Sequence, residues 1–220
     1  MSTVTFRPTG PAEFADRWAA VLPPGARVGV DGAIDSDVLG FAQALGDALQ
    51  ARGRPVLRAA WSSFWRPRSL RYEFGRDDAD AFHDTWLDVP GLYREVLEPL
   101  GAPSGRWWVP SLYDPDTDRA SRARREPVSD DAVLVFAGPF LLRDDVRWGF
   151  DAVLHLSTSD AAIRRRVPAG DVERVLGGWH RYLREAEPLD TASAVLRCED
   201  PHRPAQLLRH EGDSQHADDS

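Results

Sequence analysis

The sequence predicts an α/β fold, a five-stranded, mostly parallel sheet with helices on both faces. Three observations lead there. Five short apolar runs read as buried strands, and helical patterns separate several of them. Such alternation is the mark of a parallel sheet covered on both sides. The 220 residues, 42% hydrophobic and 28% charged, suit one globular domain with a full core.

The elements follow in chain order. Pro11 to Leu22 reads as an amphipathic helix with Phe14, Trp18 and Leu22 on one stripe, and Pro23-Pro24-Gly25 ends it. The strands fall at Val28–Val30, Val56–Ala60, Val133–Phe136, Val153–Leu156 and Ala194–Leu196. Further helices are expected over Val38–Ala51, Val89–Leu100, Ser159–Arg166 and Asp171–Ala186. Residues 1–200 make a single domain, and 201–220, ending HEGDSQHADDS, read as a disordered acidic tail. In a sheet of this kind ligands sit beyond the carboxyl ends of the strands. The informative segments are therefore Asp31–Asp37, Trp61–Arg76, Ala137–Phe140 and the residues after Leu156.

Composition narrows the function classes. A net charge of −8 argues against nucleic acid or an anionic membrane as the main partner. No apolar run has the length of a membrane span and no signal peptide is read at the front, so a cytoplasmic location is expected. The one cysteine, Cys198, has no partner for an internal disulfide. All 27 basic residues are arginine. Chemistry that depends on a lysine, whether a Schiff base or a phosphate-loop lysine, is excluded.

Four blocks in order carry a resemblance: VGVDG at 28–32, FWRPRSLRYEFGRD at 64–77, VLVFAGPFLLR at 133–143 and RYLREAEPLDTASAVL at 181–196. Together they resemble the uridine kinase-like P-loop kinases, in a divergent bacterial branch. The resemblance spans roughly 28–200. It implies a three-layer P-loop NTPase-like fold with a short lid at about 157–180. It also implies descent from enzymes that move a phosphoryl group from ATP to a small hydroxyl compound.

The departures from the family are as informative as the matches. The family loop runs from its first glycine, here Gly32, to Gly-Lys-Ser/Thr. Here Asp35 and Asp37 stand at glycine positions, Val38 at the lysine and Leu39 at the hydroxyl. After the second predicted strand of this set the family carries an acidic base, and this chain reads Ala60-Trp61-Ser62-Ser63-Phe64. After the third it carries an acidic residue of the magnesium shell, and this chain has Ala137 before Gly138. No metal site is expected, and neither ATP nor magnesium is expected to bind. Asp35 and Asp37 are instead expected to cap the following helix with a carboxylate where a phosphate would sit, Asp37 being the better placed.

The acceptor half keeps more of the family spacing. Arg66, Arg68, Arg71, Tyr72 and Arg76, followed by Phe82 and Trp86, are the ligand-binding candidates, joined by Trp61 and Trp65. Six acidic residues between Glu73 and Asp88 offer salt partners that could occupy those arginines instead. His83, Asp84 and Tyr72 are acid–base candidates, although neighbouring residues such as His83 and Asp84 need not face each other. Trp107 and Trp108 lie on a loop that could approach the site. Arg164, Arg165 and Arg166 fall in the lid region and are expected on a solvated helix face.

The leading expectation is a degenerate kinase-like protein that binds a small molecule in the former acceptor cleft. An ATP-independent enzyme using that cleft, an active kinase with unusual phosphate contacts, and a protein-interaction subunit are the alternatives. The ligand and the oligomeric state are not legible in the sequence.

Overall fold

The computed structural model describes residues 5–34, 37–200 and 203–208. Seven strands form its central sheet: β1 (Thr5–Pro8), β2 (Arg27–Gly32), β3 (Val56–Ala60), β4 (Val133–Gly138), β5 (Ala152–Ser157), β6 (Ala194–Arg197) and β7 (Ala205–Leu208). Their spatial order is β1-β7-β6-β5-β2-β4-β3. The five strands from β6 to β3 are mutually parallel and are the five expected from the apolar runs.

The sheet has two strands more than the sequence pattern gave. β7 pairs antiparallel with β6, and β1 pairs antiparallel with β7 from Thr5↔Leu208 to Pro8↔Ala205. The short runs Thr5–Pro8 and Ala205–Leu208 carry little apolar signal alone. Each becomes a strand because the other supplies its backbone partners at the sheet edge. Residues 205–208 therefore correct the expectation of disorder from 201 onward. The rest of the expected tail, 201–202 and 209–220, lies outside the described residues.

Alternation along the strands divides the core into two layers. Val28, Val30, Val133, Val135 and Ala137 face helices α1 (Pro11–Val21) and α2 (Val38–Ala51), meeting Phe14, Ala19, Phe41, Leu45 and Leu49. Leu134 and Phe136 face the other way, into a layer rich in aromatic rings. That layer is built on α3 (Ala79–Asp84), α4 (Asp160–Arg166) and α5 (Val172–Ala186). The helix expected over Val89–Leu100 is present but widens to a π turn over Tyr93–Leu97. Pro99 has no N–H to offer the Glu95 carbonyl four residues back, and Val109 N–H donates to that carbonyl at 2.9 Å instead. Among the described residues no helix is long and apolar enough to cross a membrane.

Candidate ligand cleft

Strand β2 ends in Asp31-Gly32, buried at the sheet centre. Asp31 is fully inaccessible and its carboxylate is well partnered. Oδ2 accepts from His155 Nδ1 at 2.6 Å and from the Tyr182 hydroxyl at 2.7 Å, while Oδ1 accepts from Leu141 N–H at 2.9 Å. Burial, with the Asp31 charge second, holds the Tyr182 phenol far above its ordinary pKa, so it stays protonated and can donate. The same hydroxyl accepts from Leu142 N–H at 3.2 Å. One buried carboxylate thus ties the end of β2 to the segment after β4.

Helix α2 starts at Val38, as the pattern predicted, with Asp37 as its N-cap residue. The capping itself is not as expected. Asp37 has φ 62° and ψ 25°, the left-handed region, and its side chain makes no hydrogen bond to the helix amides. A capping side chain reaches N2 or N3 from extended backbone, and left-handed backbone turns it away. Asp37 therefore occupies the glycine position of the implied loop in a conformation that glycine favours and that Asp tolerates. Its carboxylate lies along the first helical turn, where a Cβ on Gly40 would collide with it. Asp35 lies outside the described residues.

After β3 the chain makes a tight turn over Trp61–Phe64. Trp61 is only 3% exposed. Its Cβ presses on Gly138 at the end of β4, where no larger residue has room. Phe140, two residues on, has φ 66°. A bulky residue in that region is strained, and it persists where surrounding contacts over-determine it. Those contacts are the hydrogen bonds of Leu141 to Asp31 and of Leu142 to Tyr182, and the Phe140 ring packed on Phe82 and Tyr182.

Between these three strand ends lies a cavity of about 610 Å³. Ile34, Asp37, Val38 and Leu39 form one wall, Ala60, Trp61, Ser62 and Trp65 another, and Ala137, Gly138 and Pro139 the floor between them. The positions matching the family's lysine, hydroxyl and metal-shell acid, namely Val38, Leu39 and Ala137, all line it. Sequence reasoning named the right strand ends but passed over Ile34, Ser62 as a wall residue, and Pro139.

The acceptor side is closed. Trp86 is buried with its ring between two guanidinium groups, Arg71 and Arg174, each carbon 4.9 Å from the ring centre. Trp61 stacks on Trp86 at 6.1 Å, and Trp65, Tyr72 and Phe82 meet Trp86 edge-on. Arg71 is itself only 3% exposed. It donates to the Arg66 carbonyl at 2.9 Å and to the Tyr113 hydroxyl at 3.2 Å. Arg174 donates to the Arg76 carbonyl at 2.6 Å and to Asp171 at 2.6 Å. Arg68 and Arg76 are exposed and Arg66 is half-buried. None of Arg66, Arg68, Arg71, Tyr72, Arg76, Phe82 or Trp86 lines the 610 Å³ cavity, so the expected arginine clamp is not assembled there. Of the ligand-binding candidates, only Trp61 and Trp65 reach it.

His83 and Asp84 do pair, Nδ1 to Oδ1 at 2.7 Å, although adjacent in sequence. His83 is nevertheless 3% exposed and packs its ring on Phe140, away from the cavity wall. Burial lowers its pKa, against the opposing pull of the Asp84 hydrogen bond. For Asp84 burial pushes upward, but bonds from His83 and Arg181 outweigh it and leave the carboxyl below its usual range. Asp84 borders a separate polar cavity of about 410 Å³ with Arg143, Asp144, Asp145 and Glu185. Trp107 and Trp108 sit on a two-strand ribbon against Glu126–Pro127, and Arg125 covers Trp107. In the lid region Arg164 pairs with Glu173 at 3.5 Å, and Arg166 donates to the Glu199 carbonyl at 2.9 Å.

Comparison with solved structures bears on this arrangement directly. A possible uridine kinase from Bacillus stearothermophilus superposes with a TM-score of 0.70 at 24% identity, over 84% of this chain and 96% of that one. The chain has a P-loop kinase fold. A candidate fructose transport system kinase from a Silicibacter species matches with a TM-score of 0.55 at 18% identity, over 84% of this chain and 95% of the other. The D-glycerate 3-kinase of Cryptococcus neoformans matches with a TM-score of 0.51 at 13% identity, over 90% and 97% of the two chains. No protein-family model matches the sequence, and neither does any curated protein. In a P-loop kinase fold the described cavity lies where the loop after β2 meets the ends of β3 and β4.

Proposed function

We propose that this chain is a kinase-fold protein that does not transfer phosphoryl groups and holds a small, largely apolar molecule in the 610 Å³ cavity. One observation carries the reading: the chemistry of the cavity wall. Among its described lining residues only Asp37 and Ser62 carry a polar side-chain group other than an indole N–H. Pockets of about 300–1,000 Å³ with apolar walls and few polar groups are the usual form of small-molecule sites.

Magnesium-ATP does not fit these residues. Its phosphates need a cation and a cradle of amides, and its metal needs oxygen ligands. The wall offers Val38, Leu39 and Ala137 at the corresponding positions. Asp37 adds a like charge. A carboxylate 4 Å from a phosphate charge costs about 4 kcal/mol at an effective dielectric near 20. The attraction of a helix N-terminus, about 0.3–1 kcal/mol, does not offset that.

Isothermal titration with magnesium-ATP and magnesium-GTP at millimolar nucleotide tests the first half, and no heat of binding is expected. A micromolar, magnesium-dependent dissociation constant overturns the reading. The second half is tested by screening small apolar metabolites for a tryptophan fluorescence change and for protection against thermal unfolding that grows with concentration. Leu39→Asn, which replaces an exposed apolar wall side chain by a polar one of similar size, is expected to weaken any apolar binder found.

A further inference from the structure

We infer that the ligand selected by this cavity is a small organic cation, an amine carried on an apolar or aromatic body. The inference rests on the reading of the cavity as a binding site and adds the sign of the ligand's charge.

Asp37 is the one charged side chain among the described lining residues. It is exposed at the rim, and its carboxylate has neither a hydrogen bond to the helix amides nor an ion pair with any described residue. The left-handed backbone at φ 62° keeps it off the amides that would otherwise absorb its charge. The arginines of the neighbouring segment cannot neutralise it. Arg71 and Arg174 are buried over Trp86, and no arginine is among the described residues that line the cavity. A carboxylate with no hydrogen bond to the helix amides and no ion pair among the described residues, beside walls of Ile34, Val38, Leu39, Trp61, Trp65 and Pro139, is complementary to a molecule with an apolar body and one positive group. An anion is repelled by Asp37. A neutral ligand of the same shape gains only the apolar contact. Trp65 strengthens the preference for an apolar body, since Arg71 already covers one indole face at 4.4 Å.

Three probes with the same ring and similar chains separate these cases: phenethylamine, 2-phenylethanol and 3-phenylpropionate, followed by tryptophan fluorescence and calorimetry. The amine is expected to bind about fivefold more tightly than the alcohol, the size of a partly exposed charge contact. The carboxylate is expected to bind most weakly. The amine's advantage shrinks as salt rises. Asp37→Asn keeps a residue that accepts left-handed backbone, so the fold is retained, and it is expected to bring the amine down to the affinity of the alcohol. Equal binding of amine and alcohol by the unmodified protein overturns the charge assignment while leaving the binding site in place. So does an amine preference that survives Asp37→Asn. Binding of none of the three, alongside measurable magnesium-ATP binding, overturns the site and the charge assignment together.

Discussion

Two neighbouring regions at the strand ends of this molecule are in opposite states. On the acceptor side, the space is filled: Trp61, Trp86 and Phe82 pack ring to ring, and Arg71 and Arg174 are drawn inward over Trp86. On the side of the loop after β2, the space is kept: about 610 Å³ remains open between Leu39, Trp65 and Pro139. The difference lies in the size of side chain each strand end received. Large rings after β3 could reach one another across the acceptor side and close it. Val38, Leu39 and Ala137 carry side chains too short to span the gap. A packed core on one side and an apolar cavity on the other follow from side-chain size alone.

The comparison breaks most readily at Trp86. If the acceptor side is a true core, Trp86→Ala costs about 3–5 kcal/mol, read as a lower midpoint in urea with unchanged slope. A loss below 1 kcal/mol would mean that the rings are loosely held and the cleft can open. Arg71→Ala comes next. It removes the donor to the Arg66 carbonyl and one of two partners of the Tyr113 hydroxyl, which keeps Asp118, and it strips cation contacts from Trp65 and Trp86; it should cost about 2–3 kcal/mol. Arg68→Ala and Arg76→Ala, both exposed, should stay within about 0.5 kcal/mol and leave cavity binding unchanged. A binding loss in either would restore the arginine clamp that the geometry lacks.

On the open side the expected effects are smaller and turn on the backbone at Asp37. Asp37→Ala should cost about 1 kcal/mol because Ala resists left-handed backbone, and Asp37→Gly should stabilise by up to about 1 kcal/mol. A side-chain cap predicts a small loss for Gly instead, so denaturant unfolding of the pair decides. The smallest effect is a slope with pH. Burial holds the His83 pKa below its ordinary 6.5, so the unfolded chain takes up the proton first. Stability is full above 6.5 and falls as pH drops beneath it. His83→Gln should flatten that fall between pH 7 and 5, a range in which the Asp84 carboxyl stays ionised.

The parallel strands and their helices were legible because each is a continuous apolar run or a periodic stripe. The edge pair β1–β7 was not, since its two halves lie about two hundred residues apart and each becomes a strand only against the other. The cavity was legible as a place: its walls fall almost wholly within the segments just after β2, β3 and β4. Which residues would face it was harder. Arg71 and Trp61 sit in the same stretch with the same apparent promise and are both 3% exposed, yet only Trp61 also borders the cavity. That choice depends on Arg174, a residue one hundred positions away that completes the stack on Trp86. His83 and Asp84 mislead for a related reason: they pair as an acid–base couple should, but Phe140 stands over the ring.

The contact between Trp61 and Gly138 also makes the present state hard to leave. While any side chain stands at 61, its Cβ leaves position 138 no room for one, and the indole cannot shrink without unseating Trp65, Phe82, Trp86 and Phe140 at once. Replacing Trp61 by an acidic residue at the end of β3 would leave a hole in the core. Single substitutions at Trp61 are costly, while single substitutions at Leu39 or Pro139 on the cavity rim disturb little else. Change at this fold's mouth therefore has a preferred direction: the cavity rim is open to point mutation, and the position of Trp61 is not.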